Sequence, residues 1–221
     1  MSSIPELLYH TTLTVLGKDT DASAVTRNVY VLGTHSTVEA AKAFSATALE
    51  ALNYEPTDFV QYNVHDGKSP WTHGDGVVVY AKAPAGQEFI VGIDTTPNDQ
   101  SLLAGPNGTI KLPVSPDNPT PCLHYVLQTM VDYQKQAEGT FEKTEIEGCY
   151  LHCADACAAA KNCLKNTGYD FAQYDQRNDL GEVEDWPFGE DVIVHAVSQT
   201  GENFSVSVRT IPGAHKKLSK N

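Results

Sequence analysis

Residues 73–97 and 188–212 are similar enough to indicate an internal repeat. Aligned without a gap, the segments HGDGVVVYAKAPAGQEFIVGIDTTP and FGEDVIVHAVSQTGENFSVSVRTIP are identical at 9 of 25 positions. The same offset of 115 residues pairs Trp71 with Trp186. Self-similarity at a fixed offset is typical of chains in which one folding unit occurs twice. We therefore predict a tandem duplication.

Each copy has the periodicity of two strands, one helix and three further strands. In the first copy, LYHTTLTVL and RNVYVLG have the composition of strands, and TVEAAKAFSATALEAL carries a narrow apolar stripe at helical spacing. Ser36 and Glu39 form a capping-box pattern at the start of that helix. The segments FVQYNV, GVVVYAKA and EFIVGIDTT follow, and a turn containing Gly86 joins the last two as a hairpin.

The predicted fold is α+β, a tandem duplication of a ββαβββ unit in which one helix covers one face of an antiparallel sheet. The predicted segments are a first repeat at 5–98, a Pro/Gly-rich linker at 99–120, a second repeat at 121–213 and a basic disordered tail at 214–221. Because a single helix leaves the other sheet face open, we expect the repeats to pack through those faces as a pseudo-two-fold dimer.

The charge balance argues against nucleic-acid binding. The 221 residues include 28 Asp and Glu against 15 Lys and Arg, a formal net charge of −13, and such a surface repels phosphate backbones. The sequence has no apolar run of the roughly 20 residues needed to cross a membrane and no N-terminal signal pattern. With five cysteines, an odd number, we expect reduced thiols and a cytoplasmic location. We expect no cofactor, no membrane partner and no nucleic-acid partner.

Four of the five cysteines fall in the segment CYLHCADACAAAKNC at 149–163. One set within it could reach a zinc ion: Cys149, His152, Cys153 and Cys157. However, Cys153, Cys157 and Cys163 also lie on the apolar stripe of the predicted helix, where the first copy has no cysteine. Because a thiol can serve as a small apolar group, we interpret the cluster as part of the core.

A polar loop between two predicted strands could also carry chemistry. The segment HDGKSPWTHGDG contains two imidazoles and two carboxylates: His65, Asp66, His73 and Asp75. Imidazole and carboxylate together can bind a divalent metal or act as base and acid. The matching loop of the second copy has no histidine. A metal-assisted hydrolase or lyase using this loop is therefore the alternative function, and simple solvation of these side chains is the competing interpretation.

Residues at equivalent positions of the two copies favour a binding role. Trp71 and Trp186 precede the hairpin in each copy, and Tyr80 corresponds to His195. If the repeats pack about a pseudo-two-fold axis, these side chains come near one seam, and domain junctions commonly bind ligands. We predict a mostly apolar site for a small aromatic or peptide-like molecule. In the competing interpretation, the same residues only fill the interior.

The chain resembles a group of small acidic proteins from filamentous ascomycete fungi. The likeness rests on DWPFGEDVIVHAV and GENF within residues 185–208 and on IEG at 146–148, and it is plainest in the second copy. No activity is assigned to this group, so the resemblance implies a fungal, cytosolic origin and no catalytic residue. Because no reactive constellation recurs in both copies, we predict a non-catalytic binding or structural module whose partner is a small molecule or a protein.

Overall fold

The computed structural model of the protein describes residues 3–18, 25–114, 121–134, 141–181 and 186–211. The chain forms two compact units, one comprising Met1–Pro113 with Ile211–Asn221 and the other Val114–Thr210. The predicted basic tail at 214–221 lies outside the described residues, as does the part of the predicted linker at 115–120.

The first unit is a five-stranded antiparallel sheet with two short consecutive helices. Its elements are β1 (Leu7–Lys18), β2 (Val25–His35), α1 (Val38–Ala46), α2 (Ala48–Ala51), β3 (Gln61–Val64), β4 (Val77–Lys82) and β5 (Glu88–Pro97). The strands lie in the order β2-β1-β5-β4-β3, and each neighbouring pair is antiparallel. Two further short strands, β6 (Leu103–Ala104) and β7 (Ile110–Lys111), pair with each other.

The second unit is also a five-stranded antiparallel sheet with a helix. Its elements are β8 (His124–Asp132), β9 (Phe141–Tyr150), α3 (Cys153–Cys163), β10 (Phe171–Gln176), β11 (Val192–Ser198) and β12 (Asn203–Thr210). The strands lie in the order β10-β11-β12-β8-β9, again with antiparallel neighbours. The predicted α+β class, built from antiparallel sheet with few helices, is confirmed.

The two sheets have the same strand order and matching irregularities. Reading the second sheet from β9 to β10 gives the same sequence of elements as reading the first from β2 to β3. A bulge interrupts β4 after Val77, and another interrupts β11 after Val192. The hairpin glycines Gly86 and Gly201 have φ values of 93° and 96°. Because residues with a side chain rarely adopt such positive φ angles, the conformation of the turn accounts for glycine at this position.

Helix α1 begins one residue later than the capping-box pattern predicts. Thr37 is the N-cap, and its side chain accepts a hydrogen bond from the Ala40 backbone N–H at 3.2 Å. Ser36 is instead buried, and its backbone N–H donates to the Gly108 carbonyl at 2.8 Å. A tertiary contact therefore takes Ser36 away from the role that its local sequence predicts.

In each unit the main core lies between the helix and one sheet face. Side chains alternate along a strand, so one face of the first sheet presents a buried apolar set to the helices: Leu13, Val79, Ala81, Phe89 and Val91, against Ala48, Leu49 and Leu52. The corresponding set in the second unit is Val126, Val194, Ala196, Phe204 and Val206, against Ala156, Cys157, Ala160 and Leu164. The helix side of the second unit therefore consists mostly of small side chains, whereas that of the first unit includes two leucines.

His10 is fully buried on strand β1 and is held by two hydroxyl groups. Its Nδ1 lies 2.9 Å from Thr34 Oγ1, and its Nε2 lies 2.8 Å from Thr96 Oγ1. Burial, together with a smaller effect of the nearby His35, lowers the pKa of His10 from its ordinary value to about 4. The folded protein therefore keeps this imidazole neutral at pH values where the unfolded chain protonates it.

Acid should destabilise the protein through His10. The depressed pKa makes its contribution to stability complete above about pH 6.5 and lost as the pH falls towards about 4, because the unfolded state then binds the extra proton. The loss amounts to roughly 3 kcal/mol of unfolding free energy at about 1.4 kcal/mol per pKa unit. The free energy of unfolding, measured with urea at pH 7 and at pH 4.5, should therefore fall less between these pH values in His10→Gln than in the wild type. The exposed His65→Gln variant is the control, and identical losses in His10→Gln and wild type would contradict the prediction.

Candidate functional site

Three predicted residues of the first unit form a stack of rings beside strand β4. The loop between β3 and β4 carries Trp71 and His73, and Tyr80 lies on β4 itself. The His73 and Tyr80 rings are nearly parallel, at 7° with centroids 4.1 Å apart, and the Trp71 ring meets His73 edge-on, at 74° and 4.8 Å. All three side chains are half-buried. His65 also stacks on Trp71, at 4.8 Å and 25°. These four residues are called the first ring stack.

The second unit contains a stack of almost the same geometry. The Phe188 and His195 rings are parallel within 7° with centroids 3.9 Å apart, and Trp186 meets Phe188 edge-on, at 78° and 5.0 Å. The guanidinium of Arg177 lies over the Trp186 ring, 5.5 Å from its centroid. These four residues, Arg177, Trp186, Phe188 and His195, are called the second ring stack. Each stack lies within its own unit.

Strand alternation explains why the stacks do not belong to the main cores. Val79 and Ala81 point towards the helices of the first unit, so Tyr80 between them points to the opposite sheet face. In the second unit Val194 and Ala196 point towards α3, and His195 takes the opposite face in the same way. Tyr80 and His195, which the sequence alignment pairs, therefore lie on the same face of their respective sheets, opposite the helices.

Arg177 and Phe188 are the members of the stacks that the sequence analysis did not single out; Phe188 aligns with His73 at the 115-residue offset. The His65 backbone N–H donates to the Val78 carbonyl at 2.8 Å, and the Arg177 N–H donates to the Ile193 carbonyl at 3.0 Å, so the two residues occupy equivalent positions after β3 and β10. In the sequence, however, the offset between the copies changes from 115 to 112 here, as DFVQY at 58–62 and DFAQY at 170–174 indicate. That change in offset is the sequence signal that aligns Arg177 with His65.

The polar atoms of the two stacks are satisfied differently. Trp71 Nε1 donates to the Gly74 carbonyl at 3.1 Å. In the second unit, the equivalent Gly189 carbonyl accepts from Arg177 Nη2 at 3.4 Å. Among the described residues, Trp186 Nε1 and His195 Nδ1 are buried atoms that find no hydrogen-bond partner. The second stack therefore holds one indole donor and one imidazole nitrogen whose hydrogen-bonding capacity is not used within the described residues.

His195 and Tyr80 are held in their neutral forms. Burial lowers the pKa of His195, and the Asp175 carboxylate opposes part of that change. Burial raises the pKa of Tyr80, and the charge of Glu88 raises it further. At neutral pH both rings are therefore uncharged, and they present apolar faces to their neighbours.

The four residues of the predicted metal alternative are used in different ways. The structure brings both His65 and His73 into ring contact with Trp71. Asp66 instead closes a turn, because its Oδ1 accepts the Lys68 and Ser69 backbone N–H groups at 2.9 Å each. Asp75 is exposed in the loop. In the described parts of the chain, no three His, Cys, Asp or Glu side chains are grouped so that they could hold a metal ion.

The cysteine-rich helix packs into the core of the second unit. All five cysteines are free thiols. Cys157 belongs to the buried cluster, and Cys153 and Cys163 pack against it. The Cys153 and Cys157 sulfur atoms lie 3.9 Å apart. Burial raises the pKa of Cys157 to about 11 and that of Cys163 to about 12. These two thiols are therefore protonated at neutral pH, as suits apolar packing rather than thiolate chemistry.

Comparisons with known proteins give no match for this chain among family models, curated proteins or solved structures. Within the described residues, none of the helices has both the length and the apolar character needed to span a membrane. The assignment of function therefore depends on the geometry of the ring stacks.

The buried thiols should resist alkylation. At pH 8, Cys157 and Cys163 should react with iodoacetamide in the native protein at least roughly 100-fold more slowly than in urea, because their thiolate populations are suppressed. Mass spectrometry of timed digests measures each site. Cys122 precedes β8 and belongs to neither core cluster, so it serves as the internal reference and should react first. Rapid native labelling of Cys163 would show that the helix is not packed as described.

Proposed function

We propose that the protein is a non-catalytic binding module made of a duplicated ββαβββ unit, and that its ring stacks are the ligand-binding surfaces. The observation that carries this proposal is a three-ring arrangement that recurs in both units. In each, a Trp ring meets a second ring edge-on, and that second ring stacks in parallel on a third. The ring types are not the same in the two units: His73 corresponds to Phe188, and Tyr80 to His195. A flat ring, rather than a particular reactive group, is thus the common requirement.

The duplication is supported by features beyond the strand order. A second set of ring contacts recurs on the helix side of each sheet: Tyr54 lies 5.2 Å from Phe89, and Tyr169 lies 4.8 Å from Phe204. These residues are related by the 115-residue offset. The matching bulges in β4 and β11 lie at the same offset. Independent agreement of bulges, turns and ring pairs is expected of two copies of one ancestral unit.

The chemistry of the stacks favours a small, neutral, aromatic ligand. Half-buried indole and phenyl rings provide apolar area and stacking geometry, while Trp186 Nε1 and His195 Nδ1 provide a donor and a second polar group. The formal net charge of −13 disfavours anionic ligands. An aromatic molecule with one amide or hydroxyl group fits these properties. The free thiols support an intracellular site of action, where thiols remain reduced.

The two tryptophans allow each stack to be tested separately. The chain has only two Trp residues, one in each stack, so the two indole N–H signals of ¹⁵N-labelled protein report on the stacks individually. Titration with benzamide or N-acetyl-L-phenylalaninamide should shift the Trp186 signal, and Trp186→Phe should remove that signal and thereby assign it. Phe188→Leu should weaken binding about threefold or more, because one stacked ring contributes about 0.5–1.5 kcal/mol.

A matched control separates ring stacking from general stability. Tyr169→Leu removes a ring from the helix-side cluster of the same unit and should leave probe affinity unchanged. Equal weakening by Phe188→Leu and Tyr169→Leu would contradict the proposed site, as would probe binding that shifts neither indole. Elemental analysis of protein purified without a chelator tests the alternative: stoichiometric zinc, manganese or iron that is lost in His73→Ala would favour the metal-assisted enzyme instead.

A further inference from the structure

We propose that Cys153 and Cys157 of helix α3 form a two-thiolate binding site for one monovalent copper ion. The pair lies on the helix side of the second sheet, whereas the second ring stack lies on the opposite face. Three observations support a site here: the distance between the two sulfur atoms, the exposed counterpart of Cys157 in the first unit, and the lack, among the described residues, of the further ligands that other metal ions need.

The two sulfur atoms are at a distance that one metal ion can bridge. They lie 3.9 Å apart, on residues four positions apart in α3. Two metal–sulfur bonds of about 2.3 Å separate their sulfur atoms by about 3.8 Å at a tetrahedral angle and by about 4.6 Å when they are collinear. The observed distance falls within this range, so both thiolates can reach one ion without a change in the helix. Metal ligands four residues apart on a helix also occur in the two-histidine zinc motif.

A disulfide between the same two residues fits the helix less well than a bridging ion does. The Cβ atoms of residues four apart on a helix are about 5–6 Å from each other, whereas a disulfide needs Cβ atoms about 3.5–4.5 Å apart. Oxidation of Cys153 and Cys157 to one disulfide would therefore require the first turn of α3 to open. The two bonds to a metal ion span a longer distance and leave that turn helical.

The first unit shows that helix–sheet packing does not require a small apolar residue at the position of Cys157. At the 115-residue offset Ala156 corresponds to Ala41, and both are fully buried against their sheets. The next position along is Cys157 in the second unit, which is only 3% exposed, and Lys42 in the first, which is exposed. Because the same fold accepts a solvated lysine there, the buried thiol is a feature of the second unit that packing alone does not explain.

The number of available ligands favours Cu(I) over the other ions that thiolates select. Those ions are chiefly Cu(I), zinc and the iron of iron–sulfur clusters, and sites for zinc and for clusters use three or four protein ligands. In the part of the chain that the structure describes, no group of three His, Cys, Asp or Glu side chains could hold a metal ion. His152 of the predicted zinc set instead lies near His124, where burial and the charge of His152 lower the pKa of His124. Cu(I), a soft ion of single charge, accepts two sulfur ligands.

Binding exchanges two thiol protons for one ion. One Cu⁺ and two S–H groups give a dithiolate complex with a single negative charge, and two protons go to the solvent. Coordination to a metal deprotonates a thiol outright, so the burial that raises the pKa of Cys157 keeps the empty site unreactive without preventing binding. Cys153 is the first residue of α3, where the helix dipole favours negative charge. Lys161 also favours the thiolate of Cys157, and Asp179 opposes it.

The test is an anaerobic competition for Cu(I), kept reduced with ascorbate, between the full chain and the coloured chelator bicinchoninate. The wild type should withdraw one Cu(I) per chain from the chelator. Cys153→Ala and Cys157→Ala should each weaken Cu(I) binding at least about tenfold, since even the loss of a group that only orients a ligand costs about that much. Cys163→Ala is the matched control on the same helix, because the Cys163 sulfur donates to Gln128 Oε1 at 3.2 Å. It should leave Cu(I) affinity within about twofold.

Labelling of the wild type gives a second readout that needs no variant. Cys153 is half-buried, and Cu(I) should slow its reaction with iodoacetamide at least about tenfold, because the bound thiolate is no longer free to attack. The reaction of Cys122 should not change. Unchanged labelling of Cys153, Cu(I) binding that both Cys153→Ala and Cys157→Ala retain, or binding that Cys163→Ala weakens equally would each overturn the proposal. If circular dichroism finds Cys157→Ala unfolded, Cys153→Ala and the labelling of the wild type decide the matter.

Discussion

The packing of helices against one face of each sheet is the contact on which the other features depend. Val79 and Ala81 on β4, and Val194 and Ala196 on β11, must all face the helix side because they complete its core. Strand alternation then leaves no choice for the residues between them: Tyr80 and His195 have to lie on the opposite face. The positions of the candidate binding residues therefore follow from the core.

The ring stacks use that second face in two chemically different ways. His65 covers the Trp71 indole in the first unit, whereas Arg177 lies over Trp186 in the second. His65 and Arg177 each place a flat, nitrogen-containing group against an indole, which favours stacking and cation–π contact. The exchange of His73 for Phe188 likewise retains the ring and loses the imidazole. Because titrating groups are not retained, the pattern fits recognition by shape and apolar area better than proton transfer.

The outer strands next to β4 and β11 repeat the correspondence between the two sheets. The strand after the helix segment is terminal in both units. Near its start, Val60 and Gln61 both lie opposite Lys82 in the first unit, and the pairing of β10 with β11 shifts between Phe171 and Gln173 in the second. The shared bulge bends both strands at the same place.

The sequence by itself determined the order of strands and helices, the antiparallel α+β class, the core role of the cysteine-rich helix and the glycines of the hairpins, because these depend on local periodicity and on backbone angles that few residues can adopt. Tertiary structure alone decided the rest. Ser36 lost the N-cap role to Thr37 through its contact with Gly108. The stacking of Arg177 on Trp186, in the place that His65 takes on Trp71, is visible only in the fold, although the sequence already shows the change in offset that aligns the two residues. The sequence joined His65, Asp66, His73 and Asp75 as possible ligands because they are close along the chain, but ring stacking and a turn direct these side chains to separate uses. Closeness in sequence does not fix the direction of side chains in a loop, since that direction is set by whichever neighbours the fold brings alongside.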